Sequence, residues 1–536
     1  MNPKLPASMA FAALMLAAPL ARAEPEDGKP ADQALPAGTS ETLHAGSGRD
    51  SKPEKKDGES LAPFPAPASV KQITHVDGRA LAYTATVGSL PVRDDKGKVV
   101  ADVVYTAYTL DGARDPSRPV TFAFNGGPGA ASVYLNLGAI GPKRVPFGTG
   151  ESPSETPALQ DNPGTWLDFT DLVFIDPVGT GFSRSRLDDE QTRKKFYAVK
   201  PDIEYLSRIV YDWLVKSQRL QSPKYVVGES YGGFRGPRIT HYLQTQLGVG
   251  VRGVVLVSPF LDGPATTDGN LSPMPWVDTL PSIAAANLER RGRLSDASMA
   301  PVIAYARSDY AVDLLKGRTD PAATQRMIAQ VTELTGLDPV FVQRLGGRIE
   351  TQAYLREVFR SEGKLGSRYD SNVTAYDPFP YAPDQETNDP ILDGIIAPTT
   401  SAMVDFVTRT VGWKVDARYE ALSEKVNRDW DRGWFGESES VTDLRQAVAI
   451  DPKLRVLIVH GWSDLSCPFM ASLLIADQMP VMGDPSRVQV RMYPGGHMFY
   501  ARPQSQAALR RDVMSLYAEG APVPEPKARN TGAGRP

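Results

Sequence analysis

Tyr225-Val226-Val227-Gly228-Glu229-Ser230-Tyr231-Gly232 runs from an apolar stretch into a Gly-x-Ser-x-Gly pentapeptide, and a helix is predicted beyond it through Ile239–Leu247. A strand that stops at such a pentapeptide, with a helix leaving it, makes a sharp turn carrying the serine at its tip. The two glycines let the chain turn with little side-chain bulk, so the Ser230 hydroxyl points out of the turn from a strained backbone. The competing reading is an ordinary glycine-rich turn.

A serine hydroxyl is a poor nucleophile at neutral pH and needs a base, which in turn needs an orienting acid. The chain has 5 histidines: His44, His75, His241, His460 and His497. His44 lies in a stretch read as disordered, and His75 precedes the turn signal Asp77-Gly78, which favours the surface. His241 falls on the helix after the pentapeptide, where a solvated or packed side chain is expected. His460 ends the apolar run Leu454–Val459 and reads as a strand-end histidine bonded to backbone. His497, in Pro494-Gly495-Gly496-His497-Met498, follows the alternating run Val488–Met492, where a general base on a strand-end loop belongs. Asp464, in Gly461-Trp462-Ser463-Asp464-Leu465, lies just past a buried strand, where the orienting acid is expected. The order Ser230, Asp464, His497 is that of α/β-hydrolase triads and of neither trypsin-like nor subtilisin-like folds.

Hydropathy patterning gives the same architecture. From Ile73 to Thr109 apolar and polar residues alternate, broken at Asp77-Gly78 and near Asp94–Gly97, which reads as antiparallel strands joined by hairpins. Val120–Phe124, Leu172–Ile175 and Gly253–Val257 read as fully buried strands. Between about Gly263 and Ala397 the strand pattern gives way to helical periodicity around Ser282–Glu289, Met299–Leu315, Ala322–Leu334 and Pro339–Leu345. Further helices are predicted around Ser401–Thr410 and Tyr419–Arg428. The predicted fold is α/β: a hydrolase core with a mostly parallel sheet, N-terminal antiparallel strands and an inserted helical cap. The core occupies 69–262 and 398–519, with the cap over 263–397.

The apolar run Met9–Leu20 followed by Ala21-Arg22-Ala23 reads as a signal peptide over 1–23, too short for a membrane span. No later segment is expected to cross a bilayer. Residues 24–68 and 520–536 are rich in Pro, Gly, Ser, Ala and charge, and read as a disordered leader and tail. Cys467 is the sole cysteine, which for an exported chain of 536 residues suggests a bacterial periplasm. A net charge of −4 offers no basic face for nucleic acid. No His-Glu-x-x-His segment or histidine cluster points to a metal, and no cofactor is expected. Nothing in the sequence fixes the oligomeric state.

Five motifs resemble the serine carboxypeptidase family. Asn125-Gly126-Gly127-Pro128-Gly129-Ala130-Ala131-Ser132 is similar to the family's W-N-G-G-P-G-C-S-S, without the tryptophan and cysteine. Pro177–Ser183 resembles P-V-G-x-G-F-S, and Gly228–Gly233 resembles G-E-S-Y-A-G. Gly461–Cys467 and Gly496-His497-Met498 resemble the aspartate and histidine segments. The resemblance implies an exopeptidase that releases C-terminal residues of peptides through an acyl-enzyme on Ser230, His497 and Asp464. Gly127 and Tyr231 would donate the oxyanion-hole hydrogen bonds. Asn125, Gly126 and a protonated Glu229 would bind the substrate carboxylate, and Cys467 and Met498 would line pockets flanking the scissile bond. One position departs from the family: its second glutamate, in E-x-G-P, is Ala139 here. Capture is therefore expected to be weaker, less acid-dependent, or supplied by another residue such as Lys143 or Arg144. The alternatives are an esterase or acyltransferase on the same residues, and a catalytically silent peptide-binding protein.

Overall fold

The alternating N-terminal region folds as three antiparallel strands, β1 (Ala68–Val76), β2 (Arg79–Arg93) and β3 (Val99–Leu110). Asp77 and Gly78 both take positive φ, 50° and 73°, the pair of left-handed residues that closes a two-residue hairpin. The computed structural model describes residues 61–112, 117–146, 157–263, 272–382, 389–433 and 437–519. The expected signal peptide, the tail and His44 lie outside them.

The apolar runs form β4 (Val120–Phe124), β5 (Asp171–Ile175), β6 (Lys224–Glu229), β7 (Gly253–Val257), β8 (Arg455–Gly461) and β9 (Val488–Tyr493). These strands pair in parallel, and β4, β5 and β7 are buried along their whole length, as strands covered on both faces must be. The sheet has ten strands in the order β1-β2-β3-β5-β4-β6-β7-β8-β9, with the two-residue strand Arg184–Ser185 added against β3. This is the α/β-hydrolase core expected from the sequence. Two apolar clusters, one containing Tyr108 and Phe174 and the other Phe122 and Trp213, fill the space beside it.

Between β7 and β8 the chain leaves the sheet for helices Met274–Arg290, Asp296–Tyr305, Pro321–Thr335, Pro339–Leu345 and Thr351–Glu357. They enclose apolar clusters of their own around Ile283, Met327 and Met299. Several expectations are corrected here. A hairpin of Lys364–Gly366 and Thr374–Tyr376 interrupts the helices; three-residue strands are too short to show a period of two. The helix expected over Tyr419–Arg428 is confined to Glu424–Asp429, because Glu420 and Leu422 pair in extended form with Gly181 and Ala130.

The end of the supposed leader is ordered: Phe64 packs on Trp413 with Arg184 3.9 Å over its ring, and the Leu61 carbonyl accepts from Arg186. The Phe64 ring and backbone carbonyls at Leu61 and Pro65 hold this apolar stretch against the core. The helix Pro390–Asp405 crosses the expected cap boundary at 397, and with its continuation to Thr410 it is long and apolar enough to cross a membrane. That is an exception to the sequence expectation. Ile391, Ile395, Ala402 and Met403 on this helix belong to the core cluster around Tyr108.

Asp202 and Arg235 form an ion pair at 2.7 Å, with side chains 1% and 0% exposed. Arg235 also donates to the Asn125 carbonyl at 2.9 Å, tying helix Tyr231–Gln246 to the end of β4. Asp202→Ala leaves that guanidinium buried and uncompensated, and is expected to cost about 3–5 kcal/mol in urea unfolding.

Candidate active site

All the site residues expected from the sequence follow carboxyl ends of parallel strands, where open α/β sheets form their crevices. β6 ends at Glu229. Ser230 then takes φ 59° and ψ −122°, and helix Tyr231–Gln246 begins at the next residue. This left-handed serine is pinned on both sides: its N–H donates to the Val257 carbonyl (2.9 Å), and its carbonyl accepts from Phe260 (3.1 Å). The neighbouring glycines are steric requirements. A Cβ at Gly228 would strike the Gly232 carbonyl, and one at Gly126 would strike the Tyr231 nitrogen.

After β4, Asn125 directs its side-chain carbonyl to the Leu135 N–H (2.9 Å), which leaves its NH2 free to face Glu229. Gly127 and Gly129 follow with φ of 100° and 111°, conformations open to glycine. Ser132 anchors the loop: its N–H donates to Asp176 at 2.8 Å and its hydroxyl to the Ala123 carbonyl at 3.2 Å. The Pro177–Ser183 motif lies behind this loop. Ser183 donates to the Asp176 carbonyl (2.7 Å) and accepts from Val104 (2.7 Å), so this motif braces the site from the core.

Asp464 is fully buried and receives three donors. Ser466 and Cys467 N–H groups reach Oδ1 at 2.8 and 2.9 Å, and His497 Nδ1 lies 2.8 Å from Oδ2. Burial acts downward on the His497 pKa, but the charge and hydrogen bond of Asp464, with Cys467, outweigh it and hold the imidazole well above its ordinary value. The other described histidines lie apart. His460 bonds the Ser472 hydroxyl (2.8 Å) as well as the backbone at Cys467, and burial lowers it to about 4. His75 and His241 pair with Asp161 and Asp443.

Glu229 is 3% exposed, and Tyr500 donates its hydroxyl to Oε2 at 2.7 Å. Burial pushes its pKa up to about 7, against the nearby His497 and the hydrogen bonds from Tyr500 and Asn125. With alanine at 139 no second carboxyl shares a hydrogen bond with Glu229; burial raises its proton affinity, and a phenol is its bonded neighbour. Ala139 itself is buried in the turn Leu135–Ile140. Lys143 pairs with Asp161, and neither it nor Arg144 lines the cavity; the lining cations are Arg368 and Arg432.

That cavity, of about 560 Å3, gathers Asn125, Gly126, Gly127, Glu229, Ser230, Tyr231, Cys467, His497 and Met498. Tyr500, Tyr369 and Asp370 escaped the sequence reading. The Tyr369 carbonyl accepts from the His497 N–H, and Asp370 accepts from Gly496 at 3.1 Å. No sequence signal links these residues to the histidine loop more than a hundred positions away; Tyr500, three residues past His497, could have been noticed as a polar aromatic in the same segment.

Residues 104–275 match the Serine carboxypeptidase family. Serine carboxypeptidase-like 9 of Arabidopsis thaliana is 28% identical over 188 residues, 32% of this chain and 41% of that protein. Pheromone-processing carboxypeptidase kex1 of Sclerotinia sclerotiorum is 35% identical over 129 residues, 22% of this chain and 17% of that protein. The chain thus matches less than half the length of these curated relatives. The crystal structure of Kex1(delta)p, a prohormone-processing carboxypeptidase from Saccharomyces cerevisiae, superposes with a TM-score of 0.53 at 15% identity, covering 81% of this chain and 91% of that one. At that identity the likeness is one of fold.

Gly126→Ala drives a methyl group into the Tyr231 backbone nitrogen. It is expected to slow covalent labelling of Ser230 by a fluorophosphonate at least about a hundredfold, the scale of losing one oxyanion donor.

Proposed function

We propose, on the match of residues 104–275 to the serine carboxypeptidase family, that the chain is a serine-type exopeptidase releasing C-terminal residues of peptides. The observation that carries this reading is Glu229: a buried carboxyl group beside Ser230, with a pKa raised by burial to about 7. A neutral carboxylic acid donates a hydrogen bond to a free carboxylate, whereas an ionised one repels it. An esterase has no need of such a group.

In this reading Ser230 attacks the carbonyl of the last peptide bond while His497 takes its proton. Asp464 holds the imidazole and stabilises the imidazolium. The N–H groups of Gly127 and Tyr231 receive the oxyanion; the second opens helix Tyr231–Gln246, whose N-terminal dipole favours negative charge. His497 returns the proton to the leaving amine, and water then cleaves the acyl-enzyme. Asn125 and Gly126 join Glu229 in holding the terminal carboxylate. Tyr500 directs its hydrogen to Oε2 of Glu229, which leaves the acid proton for Oε1 and so for substrate. Cys467 and Met498 flank the scissile bond. The Met9–Leu20 run and Ala21-Arg22-Ala23 support export, and the single cysteine supports a periplasm as destination.

A fluorophosphonate is expected to label the wild-type protein and not Ser230→Ala; equal labelling of both would remove Ser230 from its role. An N-blocked dipeptide with a free carboxylate is expected to be cleaved faster than its C-terminal amide below pH about 7. As pH rises through about 7 Glu229 ionises, so kcat/KM for the free acid should fall while that for the amide does not. Both substrates lose rate as pH falls through the His497 pKa, which Asp464 holds well above its ordinary value, so the Glu229 titration is read from the ratio of free acid to amide. Because the Tyr500 hydrogen bond draws the Glu229 pKa down, Tyr500→Phe should move the alkaline limb to higher pH and raise KM for the free acid. Glu229→Gln should abolish that limb. A free acid and amide with parallel profiles would leave a hydrolase without the carboxylate-capturing step.

A further inference from the structure

β7 ends at Val257, and residues 257–260 touch both the proposed nucleophile and the proposed base. On one side the Val257 carbonyl accepts from the Ser230 N–H at 2.9 Å, and the Phe260 N–H donates to the Ser230 carbonyl at 3.1 Å. On the other, the Ser258 hydroxyl donates to the backbone carbonyl of His497 at 2.8 Å. Ser258 is anchored in turn, its N–H donating to the Val459 carbonyl of β8 at 2.7 Å. Pro259 packs so closely on the start of helix Tyr231–Gln246 that a Cβ at Gly233 would strike it. Ser258 and His497 are 0% and 1% exposed, so the link between them is buried.

Ser258 holds this place against its own backbone preference. Its φ is 43°, in the left-handed region that a side chain disfavours and glycine enters freely. The other described residues with side chains at positive φ are Ser230 itself and, in exposed turns, Asp77 and Gln218; Ser258 alone among them is buried. A glycine would meet the backbone requirement without strain, so what the serine adds is its hydroxyl. The acceptor of that hydroxyl is a buried carbonyl on a glycine-rich loop, and a buried carbonyl deprived of its donor is destabilised. The His497 N–H already goes to the Tyr369 carbonyl, and Nδ1 to Asp464. Ser258 thus fixes the backbone of the base on its second side.

We propose that Ser258 is a positioning residue for the base, its hydroxyl setting the place of the His497 imidazole relative to Ser230. The inference rests on the reading of Ser230 and His497 as nucleophile and base. Residues 257–260 act as a spacer between them: Val257 and Phe260 hold the backbone of the serine, Ser258 holds that of the histidine, and β8 backs the whole. Because one short stretch bonds both, a displacement of either is carried to the other and their separation is kept. Without the hydroxyl the histidine loop loses its tie to this spacer, although Ser230 and Asp464 are untouched. Proton transfer requires hydrogen-bond reach, and a displacement of about 1 Å costs on the order of a hundredfold in rate.

The test compares Ser258→Gly and Ser258→Ala with the wild-type chain. Both variants lack the hydroxyl. Alanine keeps a side chain at positive φ and glycine does not, so Ser258→Gly is expected to unfold at the higher urea concentration of the two. Each is read by the rate at which a fluorophosphonate labels Ser230, and by kcat and KM for an N-blocked dipeptide. Both should lose about tenfold or more in labelling rate and in kcat, with KM within about twofold of wild type, and to the same extent although their stabilities differ. Wild-type labelling of Ser258→Gly would overturn the proposal, since a serine that only holds the fold is replaced there without strain. A loss confined to KM, or one that is small in Ser258→Gly and large in Ser258→Ala and so follows stability, would overturn it too. The comparison of Ser258→Gly with wild type stands even if Ser258→Ala does not fold. Labelling that survives Ser230→Ala would defeat the reading of the triad instead; labelling that requires Ser230 and ignores Ser258 defeats this inference alone.

Discussion

The left-handed backbone of Ser230 is the constraint on which the site depends. A φ of 59° in a residue with a side chain stores on the order of 1–3 kcal/mol of strain. Such a residue persists only where its surroundings leave no alternative. Here the Ser230 N–H is fixed to Val257 on the adjacent strand and its carbonyl to Phe260 and Gly233. The chain can approach that closely because Gly228 and Gly232 meet backbone to backbone, and Gly126 meets Tyr231. One geometry thus places Ser230 against the cavity and starts at the next residue a helix whose dipole favours an anion there.

Two buried carboxyl groups near the serine are treated oppositely, and the difference lies in their donors. Asp464 takes two backbone N–H groups and the His497 imidazole, enough to satisfy a charged carboxylate away from water. Glu229 has the Tyr500 hydroxyl and the Asn125 amide, and burial still raises its pKa to about 7. The substitution of alanine at 139 removes a carboxyl partner, and a buried phenol that stays neutral takes a position at Glu229. Under the proposed function, capture then depends on the titration of Glu229 alone.

Much of this was legible from local sequence. Val120–Phe124 and Gly253–Val257 are strands at the bounds that their apolar runs predict, since a strand buried on both faces has no polar residue to blur its ends. Ser230, Asp464 and His497 were recognisable because each follows a strand and carries turn residues beside it. What escaped reading was set by partners distant in the chain. Tyr419–Arg428 has helical spacing, but Glu420 and Leu422 find extended partners at Gly181 and Ala130, and tertiary pairing overrides propensity. Tyr500 and Glu229 are 271 residues apart, and only the fold makes them neighbours. Ser258 looks in sequence like any polar residue ending a strand; its bond to a carbonyl 239 residues away is visible only in three dimensions.

The insertion between β7 and β8 supports the proposed base as well as covering it. The Tyr369 carbonyl holds the His497 N–H, the Tyr369 ring stands edge-on to the imidazole at 5.2 Å, and Asp370 holds the Gly496 N–H. Arg502 completes the link by joining Asp370 to Glu289 on helix Met274–Arg290. A glycine-rich loop such as Pro494–His497 would sample many conformations if left alone, and a base must be held within a few tenths of an ångström of its working position. Three residues of the inserted segment, Tyr369, Asp370 and Glu289, therefore act on the imidazole's placement from outside the α/β core. The Tyr369–Asp370 pair is thereby fixed against the histidine loop, while its own position is tied through Arg502 to helix Met274–Arg290.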